Sequence, residues 1–283
     1  METVHSLKSL FASRQTLPGP VGFVPTMGSL HDGHLSLVRK ARQECSSVVV
    51  SIFVNPTQFA PEEDLENYPR DLTRDEHLLR REGVDLVWNP SAVEIYPEAF
   101  QTWVTVAEVT QPLEGARRPT HFQGVTTVVA KLFNAVRPDK AYFGQKDAQQ
   151  AVVIRQMTRD LNYPIEIEVC PIVREPDGLA MSSRNTYLTP EQREAALSLS
   201  RGLFQAEKAF QQGEKNADRL REIVAEEIEE EPLAELQYIS CAAPDTLEEL
   251  EGEVEHCLIS LAAFVGETRL IDNVVLTDSR RTI

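Results

Sequence analysis

The chain has 283 residues, 42% hydrophobic and 25% charged, ordinary globular usage that excludes intrinsic disorder, collagen and disulfide-rich miniproteins. It is long enough to bury a sizeable core, as one large domain or two modest ones. Lys plus Arg number 28 against 44 Asp plus Glu, a formal charge of −16. That opposes binding to long nucleic acids, while small anions can still be held where basic side chains and backbone N–H groups cluster.

Residues 21–24 form a short apolar strand ended by Pro25, and Leu35, Val38, Ala41 and Cys45 follow at helical spacing. Residues 47–54 are β-branched and apolar almost throughout, which suits a strand buried on both faces of a parallel sheet. A charged helix over 71–82 stops at Gly83, and a strand follows over 84–88. A helix over 125–136 ends at Arg137-Pro138. A strand over 140–143 closes on Gly144, a helix covers 147–161, and a strand covers 165–169. Strands alternating with helices predict an α/β fold, a Rossmann-like parallel sheet with right-handed crossovers.

The pattern changes after Arg174. The turn Glu175-Pro176-Asp177-Gly178 precedes helices over 190–212 and 217–229, then strands over 236–241, 257–264 and 270–276. This predicts two domains, 1–175 for catalysis and a smaller α+β C-terminal lid over 176–283. The acidic runs 226–231 and 248–255 read as solvated faces. Cys45, Cys170, Cys241 and Cys257 include no C-x-x-C pair, so free thiols in a reducing cytosol are expected. Residues 1–14 lack a signal-peptide core and no segment has the length of a membrane helix; a cytoplasmic, membrane-free protein is expected.

The chemistry concentrates in loops. Pro25-Thr26-Met27-Gly28-Ser29-Leu30-His31-Asp32-Gly33-His34 lies between the first strand and its helix. Ligands of open α/β sheets bind at such carboxyl ends, where a helix N-terminus welcomes phosphate. His31 and His34, three apart, place both rings on one side of a helical turn. No G-x-x-x-x-G-K-[ST] occurs, so this is not a P-loop. After the second strand, Asn55-Pro56 punctuates a turn, and Gln58 offers an amide in an apolar surround, where a buried amide must find partners. In Gly144-Gln145-Lys146-Asp147-Ala148-Gln149-Gln150, Asp147 and Gln150 have capping-box spacing. Lys146 sits where the helix dipole disfavours a cation, which points to a bound anion. Met181-Ser182-Ser183-Arg184 offers two hydroxyls and a guanidinium for phosphates, or is a plain linker.

Taken together, PTMGSLHDGH, IFVNPTQF, YPRDLTRD, HFQGVTTVVAKLFN, YFGQKDAQQ and LAMSSRN resemble the pantothenate synthetase (pantoate–β-alanine ligase) family of the nucleotidylyltransferase superfamily, in the family's order from about residue 21 to 185. The resemblance implies ATP-dependent condensation of pantoate with β-alanine through a pantoyl adenylate, releasing AMP and pyrophosphate. It assigns His31, His34, Lys146, Ser182, Ser183 and Arg184 to the triphosphate, with His34 as proton donor. Met27, Gly28, Ser29, Leu30, Asp32, Gly33, Gly144, Gln145, Asp147, Val173 and Met181 would complete the ATP site. Gln58 and Gln150 would hold pantoate, with Asn55 and His121 as secondary contacts. Gln145 stands where the family often has Glu. Mg2+ would accompany ATP, and a homodimer is implied. The runner-up is a nucleotidylyltransferase that keeps the nucleotide in its product, and a non-catalytic nucleotide-binding regulator is the reading from another class. A tRNA synthetase fragment fits less well, given the charge and the short chain.

Overall fold

The alternating runs place six parallel strands side by side in the computed structural model, which describes residues 1–59 and 65–278. The strands are β1 (Glu2–Val4), β2 (Val21–Thr26), β3 (Ser47–Ile52), β4 (Leu86–Trp88), β5 (Lys140–Gly144) and β6 (Glu166–Cys170), in the order β1-β4-β3-β2-β5-β6. The order reverses direction between β2 and β5, a topological switch point where loops leaving the two strands diverge and open a crevice.

The pleat divides the core. Phe23 lies opposite Val49 and Ala141. These residues face one layer with Leu10 of α1 (Leu7–Arg14), Phe133 of α6 (His121–Val136) and Ile154 of α7 (Ala148–Asp160). Val24, Val50 and Tyr142 face the opposite layer, with Val38 of α2 (Asp32–Glu44) and Leu79 of α3 (Leu72–Arg81). Both faces are therefore covered, as the largely apolar, fully buried run of β3 demands. Short helices α4 (Ala92–Ile95) and α5 (Glu114–Arg117) lie between β4 and α6.

Several boundaries differ from the sequence expectation. Pro25 does not end its strand: β2 continues to Thr26 beside β3, while pairing with β5 covers only Gly22 and Phe23. One edge of β2 is then free of a ladder, and the missing proline donor is tolerated. The β3 strand stops at Ile52 rather than 54. α6 starts four residues before 125, at His121. β1, α1 and the short helices carry too little periodicity to be read in advance.

The chain separates into two units. The first comprises Met1–Gly144 and Gln149–Pro171; the second comprises Gln145–Ala148 and Ile172–Ile283, of which residues through 278 are described. In the second unit α8 (Pro190–Gln211) and α9 (Ala217–Glu229) pack on a three-stranded antiparallel sheet in the order β7 (Ala234–Ala242), β8 (His256–Val265), β9 (Thr268–Thr277). Leu203, Phe210, Leu220, Val224, Ile259 and Leu261 fill its core. The acidic runs are largely solvated, as expected, with every acid in them exposed except Glu227 and Glu231, which are half-buried. Glu227 pairs with Arg201, and Glu249 accepts from Ser240 Oγ, the Cys241 N–H and Arg221. All four cysteines are buried free thiols. No helix among the described residues is long and apolar enough to cross a membrane.

At the amino-terminal end of the first sheet, Glu44 receives Lys40 Nζ at 2.6 Å and the Tyr142 hydroxyl at 3.0 Å. These bonds hold its carboxyl down at about 2, against an ordinary 4.5. The folded state therefore binds fewer protons than the unfolded chain between those values. Its advantage is complete above about 4.5 and fades as pH falls toward about 2. Glu44→Gln is expected to lower stability at neutral pH and to flatten the loss on acidification. Urea midpoints at pH 3, 4 and 7 check this; a pH dependence identical to wild type rejects it.

Candidate active site

The loop after β2 is held by a buried carboxylate. Asp75, in the first turn of α3, is 1% exposed. Its two oxygens accept the N–H groups of Ser29 and Leu30, each at 2.8 Å, and Arg74 of the same helix donates to Leu30 O at 2.9 Å. Burial pushes the Asp75 carboxyl upward, against the pull of those two N–H bonds and of Arg74. Gly28 at φ +83° and Ser29 at φ 51° turn the chain tightly beneath it. A Cβ on Gly28 would lie 3.0 Å from Asp75 Oδ2 in a backbone conformation that L side chains rarely adopt. The N–H groups of Ser29 and Leu30 therefore serve the fold. Backbone donation to an anion falls to the start of α2, at Asp32 and Gly33, where no intrahelical acceptor exists.

His31 precedes α2 and His34 lies in its first turn, with ring centroids 4.0 Å apart. The His31 N–H points at His34 Nδ1 at 3.4 Å. With Nδ1 accepting, the neutral ring carries its proton on Nε2, leaving a donor at the far edge of the imidazole.

The turn after β3 carries Gln58 at the end of a 3-10 turn, Pro56–Gln58. Its side chain lies between Asn55 Nδ2, which donates to Oε1 at 3.2 Å, and Met27 Sδ, 3.0 Å from Nε2. Its carbonyl is held from the other side by His121 Nδ1 at 2.9 Å and Arg118 Nη2 at 3.3 Å. A carbonyl only accepts, so His121 Nδ1 carries the proton and Nε2 faces Arg118 Nη1 at 3.3 Å as acceptor. Asn55 is itself fixed: Oδ1 accepts from the Tyr96 and Thr57 hydroxyls, and Nδ2 also donates to Gly124 O at 3.2 Å. Four residues named from sequence, Met27, Asn55, Gln58 and His121, are thereby brought together within the first unit.

α6 reaches this turn because Gly124 has no side chain. A Cβ there would lie 2.4 Å from Thr57 O and 2.8 Å from Gln58 N. The neighbouring glutamines divide their work. Gln149 is buried, accepting the Glu114 N–H and donating to the Val109 and Pro112 carbonyls. Gln150, half-buried, lies outside that network.

In the second unit, Gln145, Lys146 and Asp147 form a 3-10 turn, so Asp147 ends that turn as it meets α7. Val173 and Met181 are joined by a hairpin, with the Met181 N–H on Val173 O at 3.0 Å. Ser182 Oγ accepts the Arg184 N–H at 3.3 Å and starts the 3-10 helix Ser183–Tyr187. The plain-linker reading of this segment fails. Asn185 donates to Glu175 and Ala180 O, and Arg193 of α8 grips Glu175 and Asp177. Lys146 and Ser182 line one small cavity with Asn185 and Asp272.

Sequence reasoning left Asp75, Arg74, Arg118 and Tyr96 without roles. Asp75 lay inside a quoted string, and a lone acid on the apolar side of a charged helix was the available signal. Arg118 and Tyr96 act on backbone and on another amide, which no spacing announces.

Asp75→Ala is expected to leave two buried donors without acceptors, at about 1–3 kcal/mol each. Urea denaturation measures it, and a loss below about 1 kcal/mol contradicts the clamp. Gly124→Ala is expected to push α6 off the Gln58 turn and destabilise by about 1–3 kcal/mol, as overpacking does. An unchanged urea midpoint rules that out.

A family profile described as pantoate-beta-alanine ligase matches residues 1–275. The pantothenate synthetase of Roseiflexus castenholzii is 56% identical over 276 residues, 98% of this chain and 99% of its own. That of Thermoanaerobacter pseudethanolicus is 54% identical over 274 residues, 97% of each chain. The crystal structure of pantothenate synthetase from Thermus thermophilus superposes with a TM-score of 0.94 at 47% identity, covering 98% of this chain and 100% of that one. A Francisella tularensis pantoate-beta-alanine ligase, complexed with beta-gamma ATP and beta-alanine, gives 0.81 at 37% identity and 97% of each chain. With the profile covering nearly the whole length, the chain belongs to the pantoate–β-alanine ligase family.

Proposed function

We propose that this chain joins pantoate to β-alanine at the expense of ATP, releasing pantothenate, AMP and pyrophosphate. The observation that carries the reading is the family match over residues 1–275. An amine does not displace a carboxylate oxygen at useful rates, so the acid is first activated. A pantoate carboxylate oxygen attacks the α-phosphorus of ATP and pyrophosphate leaves, giving pantoyl adenylate. The β-alanine amine then attacks the acyl carbon, AMP departs with the shared oxygen, and the amine loses a proton.

In this reading His34 donates from Nε2 to a phosphoryl oxygen, with His31 beside it. Lys146, Ser182, Ser183 and Arg184 complete the cradle as charge builds on the leaving pyrophosphate. Met27, Gly28, Ser29, Leu30, Asp32, Gly33, Gly144, Gln145, Asp147, Val173 and Met181 line the nucleotide site, Ser29 and Leu30 by shape, since their N–H groups are engaged. Gln58 and Gln150 hold pantoate, and Asn55 and His121 act by fixing Gln58. Among the described residues no three metal-ligating side chains converge. Magnesium would arrive with ATP, carried mostly on phosphate oxygens and water. Residues 176–283 serve as a lid that excludes water from the labile adenylate, in a cytoplasmic homodimer.

Pantoate labelled with 18O in its carboxylate is expected to leave label in AMP as well as in pantothenate. Turnover with unlabelled AMP excludes carboxylate attack on the α-phosphorus. Turnover without free AMP favours the nucleotidylyltransferase alternative.

A further inference from the structure

We infer that Asn273 is a positioning residue for Lys146, acting through the backbone of the Gln145-Lys146 turn; this rests on the proposed role of Lys146 at the triphosphate. Asp272 and Asn273 interrupt the otherwise apolar centre of β9 and are 3% and 2% exposed. Polar side chains so buried are costly unless paired. Asn273 Nδ2 donates to both the Gln145 and the Lys146 carbonyl oxygens, each at 3.0 Å, and its Oδ1 accepts from Gln145 Nε2 at 3.0 Å. Both donors and the acceptor of this amide thus converge on one dipeptide far away in sequence.

Asp272 makes that grip rigid. It takes Arg174 in a two-pronged pair, at 2.6 and 2.9 Å, and its Oδ1 also accepts the Asn273 N–H at 2.8 Å. Arg174 lies over the Phe204 ring and donates to Gly178 O, at the tip of the hairpin leading to Ser182. The centre of β9 therefore ties the lysine turn and the hairpin before the Ser-Ser-Arg segment into one polar assembly, all within the second unit. Lys146 is a flexible four-carbon cation. Fixing the backbone it springs from narrows the volume its ammonium searches, which is what a transition-state contact requires.

The test is a double-mutant cycle on pyrophosphate release in a single turnover with ATP and pantoate. Asn273→Ala is expected to slow this step by about 10- to 100-fold, the scale of a small misplacement, with the KM for pantoate little changed. In a Lys146→Ala background the same substitution is expected to change the rate less than about threefold, because coupled residues are not additive. A wild-type rate in Asn273→Ala, or an equal loss in both backgrounds, overturns the inference: Asn273 would then be structural only. A wild-type rate in Lys146→Ala instead overturns the reading beneath it, and the inference with it. If chemistry in the double variant is too slow, calorimetric binding of a non-hydrolysable ATP analogue to the same four proteins supplies the cycle. Asn273→Ser, which keeps one donor, replaces the alanine variant if that fails to fold, with a partial loss expected.

Discussion

The N–H groups of Ser29 and Leu30 face protein rather than water, and the Asp75 carboxylate takes both at 2.8 Å. Much of the first unit's site follows from that clamp. It sets the left-handed turn at Gly28 and Ser29, which brings His31 to the start of α2 and stacks it against His34. The His31 N–H, donating to His34 Nδ1, in turn places the neutral His34 proton on Nε2. A buried carboxylate is expensive to desolvate, and here two backbone donors and the neighbouring Arg74 offset only part of the cost. The expense is sensible only if loop shape matters more than local stability, as it does where a phosphate must be met by preorganised donors.

Gln58, proposed to hold pantoate, illustrates the same logic. Its carbonyl is pinned by His121 and Arg118, and its amide is oriented by Asn55. Asn55 is oriented by two hydroxyls and by Gly124 O. Each layer removes a rotamer choice from the one inside it. An amide that is already ordered loses little entropy when it binds a small polar acid, so more of each hydrogen bond appears as affinity. Gly124 is the geometric condition for the whole frame, because any side chain there would collide with the backbone of the Gln58 turn.

The sheet was legible because β3 and the core of β2 are apolar almost throughout, and the motif loops because their residue types are ill-suited to ordinary turns. A lysine before a helix start asks for an explanation that capping does not supply, whereas the His31–His34 pair also caps α2. The supporting residues were less visible. Asp75 looks like one more acid in a charged helix until its burial is known. Asp272 and Asn273 look like a flaw in a strand until their partners at Arg174, Gln145 and Lys146 are placed. Burial is decided by tertiary packing, and long-range side-chain-to-backbone bonds leave no periodic trace. Sequence therefore reveals groups that suit a ligand sooner than groups that suit another part of the chain.

The charge balance shows a related division. A field from −16 net charges would repel ATP if it acted as a whole, yet at physiological salt it is screened beyond about 8 Å. Much of the acid in the second unit is also engaged locally: Arg219 with Glu222 and Glu226, Arg201 with Glu227, Arg221 with Glu249. The residues offered to the triphosphate depend on neighbours within a few ångströms, where screening is weak. Lys146 and Ser182 line a cavity that also contains Asp272, whose charge is already matched by the two-pronged Arg174 pair. Arg174 thus takes the main share of the Asp272 charge, with a weaker pull on that carboxylate from Lys146, the cation proposed for the triphosphate. An acidic protein can hold a polyanion on these terms, by neutralising each acid near the site with a dedicated partner rather than by changing its overall sign.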